Sequence, residues 1–227
     1  MVDRLNEVLA VYEQIRAEVE PYTVQVLDKE IEVLPNVFSP KYFTDSEYFA
    51  EAVPKLVQSH EDFLEIGTGT GVVSSFVNAK NIVATDINED AVENARRNFE
   101  RLGVNAEARH GHLFAPVTGM KFDVCFWNHP FNCVQEEVND ILLRGGLDYQ
   151  YQDLDEYFHE GCNHLKSNGR LLLGTGNIAR IYLIEELAKK HGYEFTVVAQ
   201  QDCSQEYGEQ EETETYYVYE CRPKNIA

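Results

Sequence analysis

The 227-residue chain is 44% hydrophobic and 26% charged, ordinary proportions for a globular protein, and its length lies where a single core still grows. Nineteen Lys and Arg stand against 39 Asp and Glu, a net charge of −20, so the mean field repels phosphate backbones and argues against a nucleic-acid partner. No apolar run approaches the roughly 18 residues that span a bilayer, the opening MVDRLNEV lacks the apolar segment of a secretory signal, and five cysteines (125, 133, 162, 203 and 221) have neither paired nor metal-type spacing, so a cytoplasmic protein with reduced thiols and no metal is expected.

Residues 3–20 put Leu5, Val8, Leu9, Tyr12, Ile15 and Val19 at helical spacing, and Pro21 ends the run. In YTVQVLDKEIEVLPNVF, Val24 and Val26 precede an acidic turn at Asp28–Glu30 and Ile31 and Val33 follow it, which predicts a short hairpin. Helix and hairpin together form an amino-terminal appendage over residues 1–45, and residues 46–227 form the main domain. FSPKYFTDSEYFAEAV passes through Pro40 into a helix capped by Asp45 or Ser46, with Tyr48, Phe49, Ala52, Val53 and Leu56 turned inward.

From residue 61 strand and helix alternate, the α/β pattern. FLEIGTGTG (63–71) reads as a buried strand and a glycine turn, with a helix over VVSSFVNA. VATDI (83–87) is the second strand; Asn88 caps the next helix and Gly103 stops it. Arg96, Arg97 and Arg101 lie on that helix beside Glu93 and Glu100, a solvated ion-paired face. AEARHGHLF supplies the third strand and its loop, and FDVCFWNHPF the fourth. LDEYFHEGCNHLKSNGRLLLGTGN gives a helix, a turn at Ser167–Gly169 and a fifth strand, and IARIYLIEELAKKHGY another helix. YEFTVVAQQ and TETYYVYEC close the chain as an antiparallel pair around an acidic loop over 202–212, read as a solvated tip or, alternatively, a docking point for a basic partner.

Gly67, Gly69 and Gly71 allow positive φ and close approach of a ligand to the backbone. A dinucleotide fold wants its third glycine where Val72 stands, and Glu65 at the pocket rim would repel a pyrophosphate but suit a cationic amino-acid end. Asp86, at the end of the next strand, suits a pair of ribose hydroxyls. A ribose with a cationic tail describes S-adenosylmethionine; a nicotinamide cofactor and a bare βα turn are the weaker readings.

On Glu65, Gly67, Gly69 and Gly71, followed by Asp86 and Ile87, the chain resembles the class I S-adenosylmethionine-dependent methyltransferases over about residues 60–220. The resemblance implies a Rossmann-like, seven-stranded, mostly parallel sheet with an antiparallel last strand. It also implies cofactor contacts from Thr68 in the turn, Ile87 against the adenine face, and His112 and Leu113 of HGHLF, where many relatives carry an acid in place of His112. His112 would accept the adenine amino group through a neutral ring nitrogen or leave that to a backbone group. His110 and His112 lack further ligands at metal spacing.

Asn128, His129, Pro130 and Phe131 end the fourth strand, on the side of the sheet where α/β folds bind ligands. They resemble the (N/D)PP(Y/F) motif of methyltransferases that act on planar nitrogens, among them the release-factor glutamine N5-methyltransferases of the small methyltransferase domain type, and GGLDYQYQDLDEYF is similar to the stretch that follows it there. The resemblance implies that the Asn128 side-chain oxygen and the His129 carbonyl each accept an N–H of the acceptor nitrogen, that Asn128 also contacts the cofactor, and that Phe131 offers its face to a flat group. His129 stands where that motif has its first proline; it is either a tolerated replacement or a proton acceptor. The function expected is methyl transfer to an amide or amino nitrogen, first of all a protein glutamine, the methyl acceptor being a protein or small molecule. The alternatives are a nucleic-acid base methyltransferase and an inactive cofactor-binding partner protein.

Overall fold

The computed structural model describes residues 2–207 and 210–224. In chain order its elements are α1 (Val2–Ala17), β1 (Tyr22–Val26), β2 (Lys29–Val33), α2 (Asp45–Ala52), β3 (Asp62–Ile66), β4 (Asn81–Asp86), α3 (Glu89–Leu102), β5 (Ala106–His110), β6 (Phe122–Asn128), β7 (Asn132–Val134), β8 (Leu147–Tyr149), α4 (Gln152–Gly161), β9 (Leu165–Gly176), α5 (Ile181–Lys190), β10 (Tyr193–Tyr207) and β11 (Gln210–Pro223). Seven strands form one sheet in the order β10-β11-β9-β6-β3-β4-β5. β9, β6, β3, β4 and β5 run parallel, and β11 is antiparallel to both β9 and β10, as expected.

Both faces of the sheet are covered, and the strand period of two sorts the side chains between two cores. On β6, Cys125 and Trp127 point to the α4/α5 side while Val124 and Phe126 point to the other; Leu171 and Leu173 divide from Leu172 on β9 in the same way. The second core includes Val26 and Ile31 of the β1–β2 hairpin with Phe49 of α2. On α1, Val8, Val11, Tyr12 and Ile15 are buried against Leu142, Phe38 and Phe43, whereas Val19 is exposed.

Two wholly buried asparagines of α3 join the hairpin to the sheet. Asn94 accepts from the Leu34 N–H (2.8 Å) and donates to the Glu32 carbonyl; Asn98 accepts from the Glu32 N–H (2.9 Å) and donates to the carbonyls of Glu32 and Thr70. A side-chain amide carries both donor and acceptor, so it can satisfy the free edge of β2.

Several local expectations are corrected. Residues 69–76 form consecutive turns, not a helix, with only Ser75 N–H reaching back four residues, to Gly71 O. Val72 and Val73 are β-branched, and the Ser74 and Ser75 hydroxyls bind Glu65 and Gly71 O, which competes with helical bonding. Thr44, rather than Asp45 or Ser46, is the N-cap of α2, without a side-chain cap bond. Asn88 and Gly103 bound α3 as expected: the Asn88 side chain accepts from Asp90 N–H, and Gly103 is left-handed. β9 begins before the predicted turn, which survives as a bulge between the pairs Phe122/Leu165 and Val124/Arg170. The β10/β11 ladder continues through most of the expected acidic loop, from Asp202/Thr215 to Tyr207/Gln210; residues 208–209 at its tip lie outside those described.

Candidate active site

The carboxyl ends of β3, β4 and β6 open into a cleft of about 1030 Å³, part of it continuous with solvent. Gly67, Gly69 and Gly71 have φ of +63°, +55° and +78°, and the outer two are also required by packing. A Cβ on Gly67 would lie 3.0 Å from Trp127 Nε1, and one on Gly71 would lie 2.8 Å from the Phe99 ring. At Gly69 the nearest atom to such a Cβ is 4.0 Å away, so this glycine alone leaves its space to the cleft.

Glu65 is buried at 3% exposure, where its Oε2 accepts from the Thr68 hydroxyl (2.9 Å), the Ser74 N–H (3.1 Å) and the Ser74 hydroxyl. Burial outweighs these bonds and raises its pKa to about 7. Asp86 accepts from Gly69 N–H (2.9 Å) on one oxygen and Asn88 N–H (2.8 Å) on the other, so it ties the glycine turn to the start of α3. Burial pushes its pKa upward as well. Each Asp86 oxygen keeps a lone pair for a further donor.

Thr68, Ile87, His112 and Leu113 all line this cleft, Leu113 in a left-handed conformation at φ 42°. The His112 ring is engaged on both sides, Nε2 at 3.0 Å from Asp153 and Nδ1 at 3.4 Å from Glu156, and the Asp153 bond raises its pKa. Nε2 donates to the Asp153 carboxylate, so that nitrogen is not available to accept from an adenine amino group. The carboxylate at this end is Asp153 of α4, which also receives Arg144 at 2.6 Å. Sequence reasoning missed Asp153 and Arg144; the acid in the first turn of a helix just after the glycine stretch was the available signal.

Asn128, at the end of β6, lines both this cleft and a second cavity of about 430 Å³, also partly continuous with solvent, bounded further by Tyr12, Asp45, His129, Phe131, Glu214 and Tyr216. Its Nδ2 donates to Asp45 Oδ2 at 2.9 Å, while its Oδ1 is buried with no partner. His129 is 1% exposed; its N–H donates to Gly174 O (3.3 Å) and its Nε2 meets the Thr175 hydroxyl at 2.9 Å. Burial drives its pKa down to about 3. Of the two readings of His129 this geometry supports replacement, and a proline could not make the bond to Gly174. Pro130 faces the cleft and Phe131 the second cavity. The Tyr12 hydroxyl is also buried without a partner, and a Cβ on Gly146 would collide with it. Asp45, Tyr12 and Glu214, from three distant parts of the chain, were not legible in advance as site residues.

The methyltransferase small domain family model matches residues 28–202. A protein of Methanocaldococcus jannaschii provisionally named protein N5-glutamine methyltransferase is 35% identical over 62% of this chain and 75% of its own length. The release factor glutamine methyltransferase of Aquifex aeolicus is 30% identical over 64% of this chain, which spans 58% of that enzyme. The ribosomal RNA small subunit methyltransferase C of Haemophilus influenzae is 27% identical over 74% of this chain and 47% of its own length. The solved M. jannaschii tRNA m1G37 methyltransferase shares the fold with a TM-score of 0.62 at 14% identity, over 90% of this chain and 57% of that one. With the glycine turn, Asp86, Asn128 and Pro130 gathered on one cleft, the chain belongs to the methyltransferase small domain family, enzymes that use S-adenosylmethionine.

Proposed function

We propose that this enzyme methylates a planar amide nitrogen, that of a protein glutamine, and that Asn128 holds the acceptor. The observation that carries this reading is the Asn128 Oδ1, buried and unpartnered where the two cavities meet. A buried acceptor without a donor costs roughly 1–3 kcal/mol, so the site is complementary to an incoming N–H. A primary amide brings two. The names of two relatives at 30% identity or more point to the same acceptor.

The cleft residues fit the cofactor. Gly69 leaves room against the backbone, Asp86 has free lone pairs for vicinal hydroxyls, and Glu65 complements a cationic amino-acid end. Bound there, S-adenosylmethionine would supply an electrophilic sulfonium methyl, with a neutral thioether as the leaving group when the acceptor nitrogen takes that methyl. The amide nitrogen is a poor nucleophile because its lone pair is shared with the carbonyl. By accepting its N–H, Asn128 orients that lone pair and binds more strongly as positive charge develops on nitrogen. The surplus amide proton passes to water. Phe131, 5.8 Å from the His129 ring and 6.2 Å from Tyr216 between ring centroids, gives the flat group an apolar wall.

The test is methyl transfer from labelled S-adenosylmethionine to purified release factor, with ribosomal RNA and tRNA as competing acceptors. Label on a glutamine, with a loss of about 100- to 1000-fold in kcat for Asn128→Ala and unchanged cofactor affinity, supports the reading. Label on RNA replaces it with base methylation. Cofactor binding without transfer to any of them, unaffected by Asn128→Ala, makes the chain a cofactor-binding partner.

A further inference from the structure

Asn128 can act as proposed only if its amide is turned one way. An asparagine side chain is nearly symmetric in shape, and its oxygen and NH2 exchange places by a half turn about χ2. Turned the wrong way it would offer a donor to a donor. The residue that settles the orientation is not in the Asn128–Phe131 turn. It is Asp45, 83 positions earlier, at the first position of α2, whose Oδ2 receives the Asn128 Nδ2 at 2.9 Å. A carboxylate has no hydrogen to give, so it holds the NH2 and leaves Oδ1 facing the cavity.

We infer that Asp45 is a positioning residue for methyl transfer: it takes the Asn128 amide N–H, presents Asn128 Oδ1 to the acceptor nitrogen, and so makes the pair selective for N–H donors. The inference rests on the proposed reading of the site. Three observations support it. Asp45 is buried, 6% exposed, an expensive place for a carboxyl whose only task is to start a helix. It is not the cap of α2, since Thr44 holds that position. It lines the second cavity beside Asn128, His129 and Phe131. A charged acceptor on the NH2 also polarises the Asn128 amide, which makes Oδ1 a stronger acceptor at the moment charge builds on the substrate nitrogen.

Asp45 is faced by Tyr12 from α1, by Glu214 and Tyr216 from β11 and by Cys203 from β10, with His129 across the cavity and Ser46 beside it on α2. No cation is among them. Burial therefore dominates and raises its pKa to about 6. Below that value the carboxyl carries its own hydrogen and no longer selects the NH2, so kcat should fall on the acid side of about pH 6.

The experiment is single-turnover methylation of purified release factor between pH 5 and 9 by wild type and Asp45→Asn, with S-adenosylmethionine affinity measured by calorimetry. Asp45→Asn keeps the volume and removes the buried charge. Expected is a fall of about 10- to 100-fold in the transfer rate, a cofactor Kd within about twofold of wild type, and loss of the acid limb near pH 6. Wild-type rate and pH profile in Asp45→Asn would overturn the inference. If wild type fails to methylate release factor, the proposed function fails first. The orientation is then decided by 15N NMR of the Asn128 side-chain amide, assigned with Asn128→Ala. Nδ2 proton and nitrogen shifts that move with a midpoint near pH 6 in wild type and lose that pH dependence in Asp45→Asn keep the inference; shifts indifferent to pH and to Asp45→Asn end it.

Discussion

The Tyr151 hydroxyl donates to the Phe131 carbonyl at 2.7 Å and accepts from the Arg180 N–H at 3.1 Å, so one side chain clamps the exit of the Asn128–Phe131 turn to the start of α5. Tyr151 itself has φ 56° and follows Gln150 at φ 52°, two consecutive non-glycine residues in left-handed conformation. Such backbone persists only where the surroundings over-determine it. Tyr151→Phe leaves the ring packing intact and removes both bonds. A loss of about 1–3 kcal/mol is expected from urea unfolding, with a several-fold lower kcat as Phe131 loosens.

Asp86 has a structural task and a proposed ligand task, and they should separate. Asp86→Ala leaves the Gly69 and Asn88 N–H groups without their acceptor and removes the acid proposed for the ribose. Calorimetry with S-adenosylmethionine should show at least about 100-fold weaker binding, equivalent to about 2.7 kcal/mol. Asp86→Asn, which keeps one oxygen for one N–H, should fall between the two. Equal affinity in all three proteins would remove Asp86 from the cofactor site.

Glu65 makes cofactor affinity depend on pH. Its free-state pKa is raised to about 7, and a cationic amino-acid end beside it favours the charged form, so binding releases a proton wherever free Glu65 is protonated. Affinity should therefore rise from pH 5 to about 7 and then level. Glu65→Gln should bind more weakly at pH 7.5 and lose this rise. Calorimetry in two buffers of different ionisation enthalpy counts the proton directly.

Asn98 offers a stability test that bypasses the chemistry. Asn98→Ala strands the Glu32 N–H and the Thr70 carbonyl, while the Glu32 carbonyl keeps its bond from Asn94, for an expected cost of about 2–3 kcal/mol. Asn98→Asp should cost more than alanine at neutral pH, because it sets a carboxylate against two carbonyl oxygens. Because Thr70 belongs to the glycine turn, both variants should also bind S-adenosylmethionine more weakly. An aspartate variant as stable as wild type in thermal unfolding would refute this role.

Some of this protein was readable before any folding was considered. The strands β6 and β9, the glycine spacing after Glu65, the acid closing β4, the Asn88 and Gly103 bounds of α3 and the Asn128–Phe131 turn are properties of contiguous residues, and local backbone constraints are written in such runs. The turns over 69–76 were misread because apolar residues there have neighbours whose hydroxyls find better partners than a helix gives, in Glu65 and Gly71. The site's directing groups were beyond reach for a different reason. Asp45 meets Asn128 across 83 residues, Asp153 meets His112 across 41, and Tyr12 arrives at the second cavity from the first helix. Sequence alone determined which glycine backbone would border the cleft and which asparagine would stand at its edge. Only the tertiary structure decided which way that asparagine faces, because the orientation of an amide is set by the partner it meets in space.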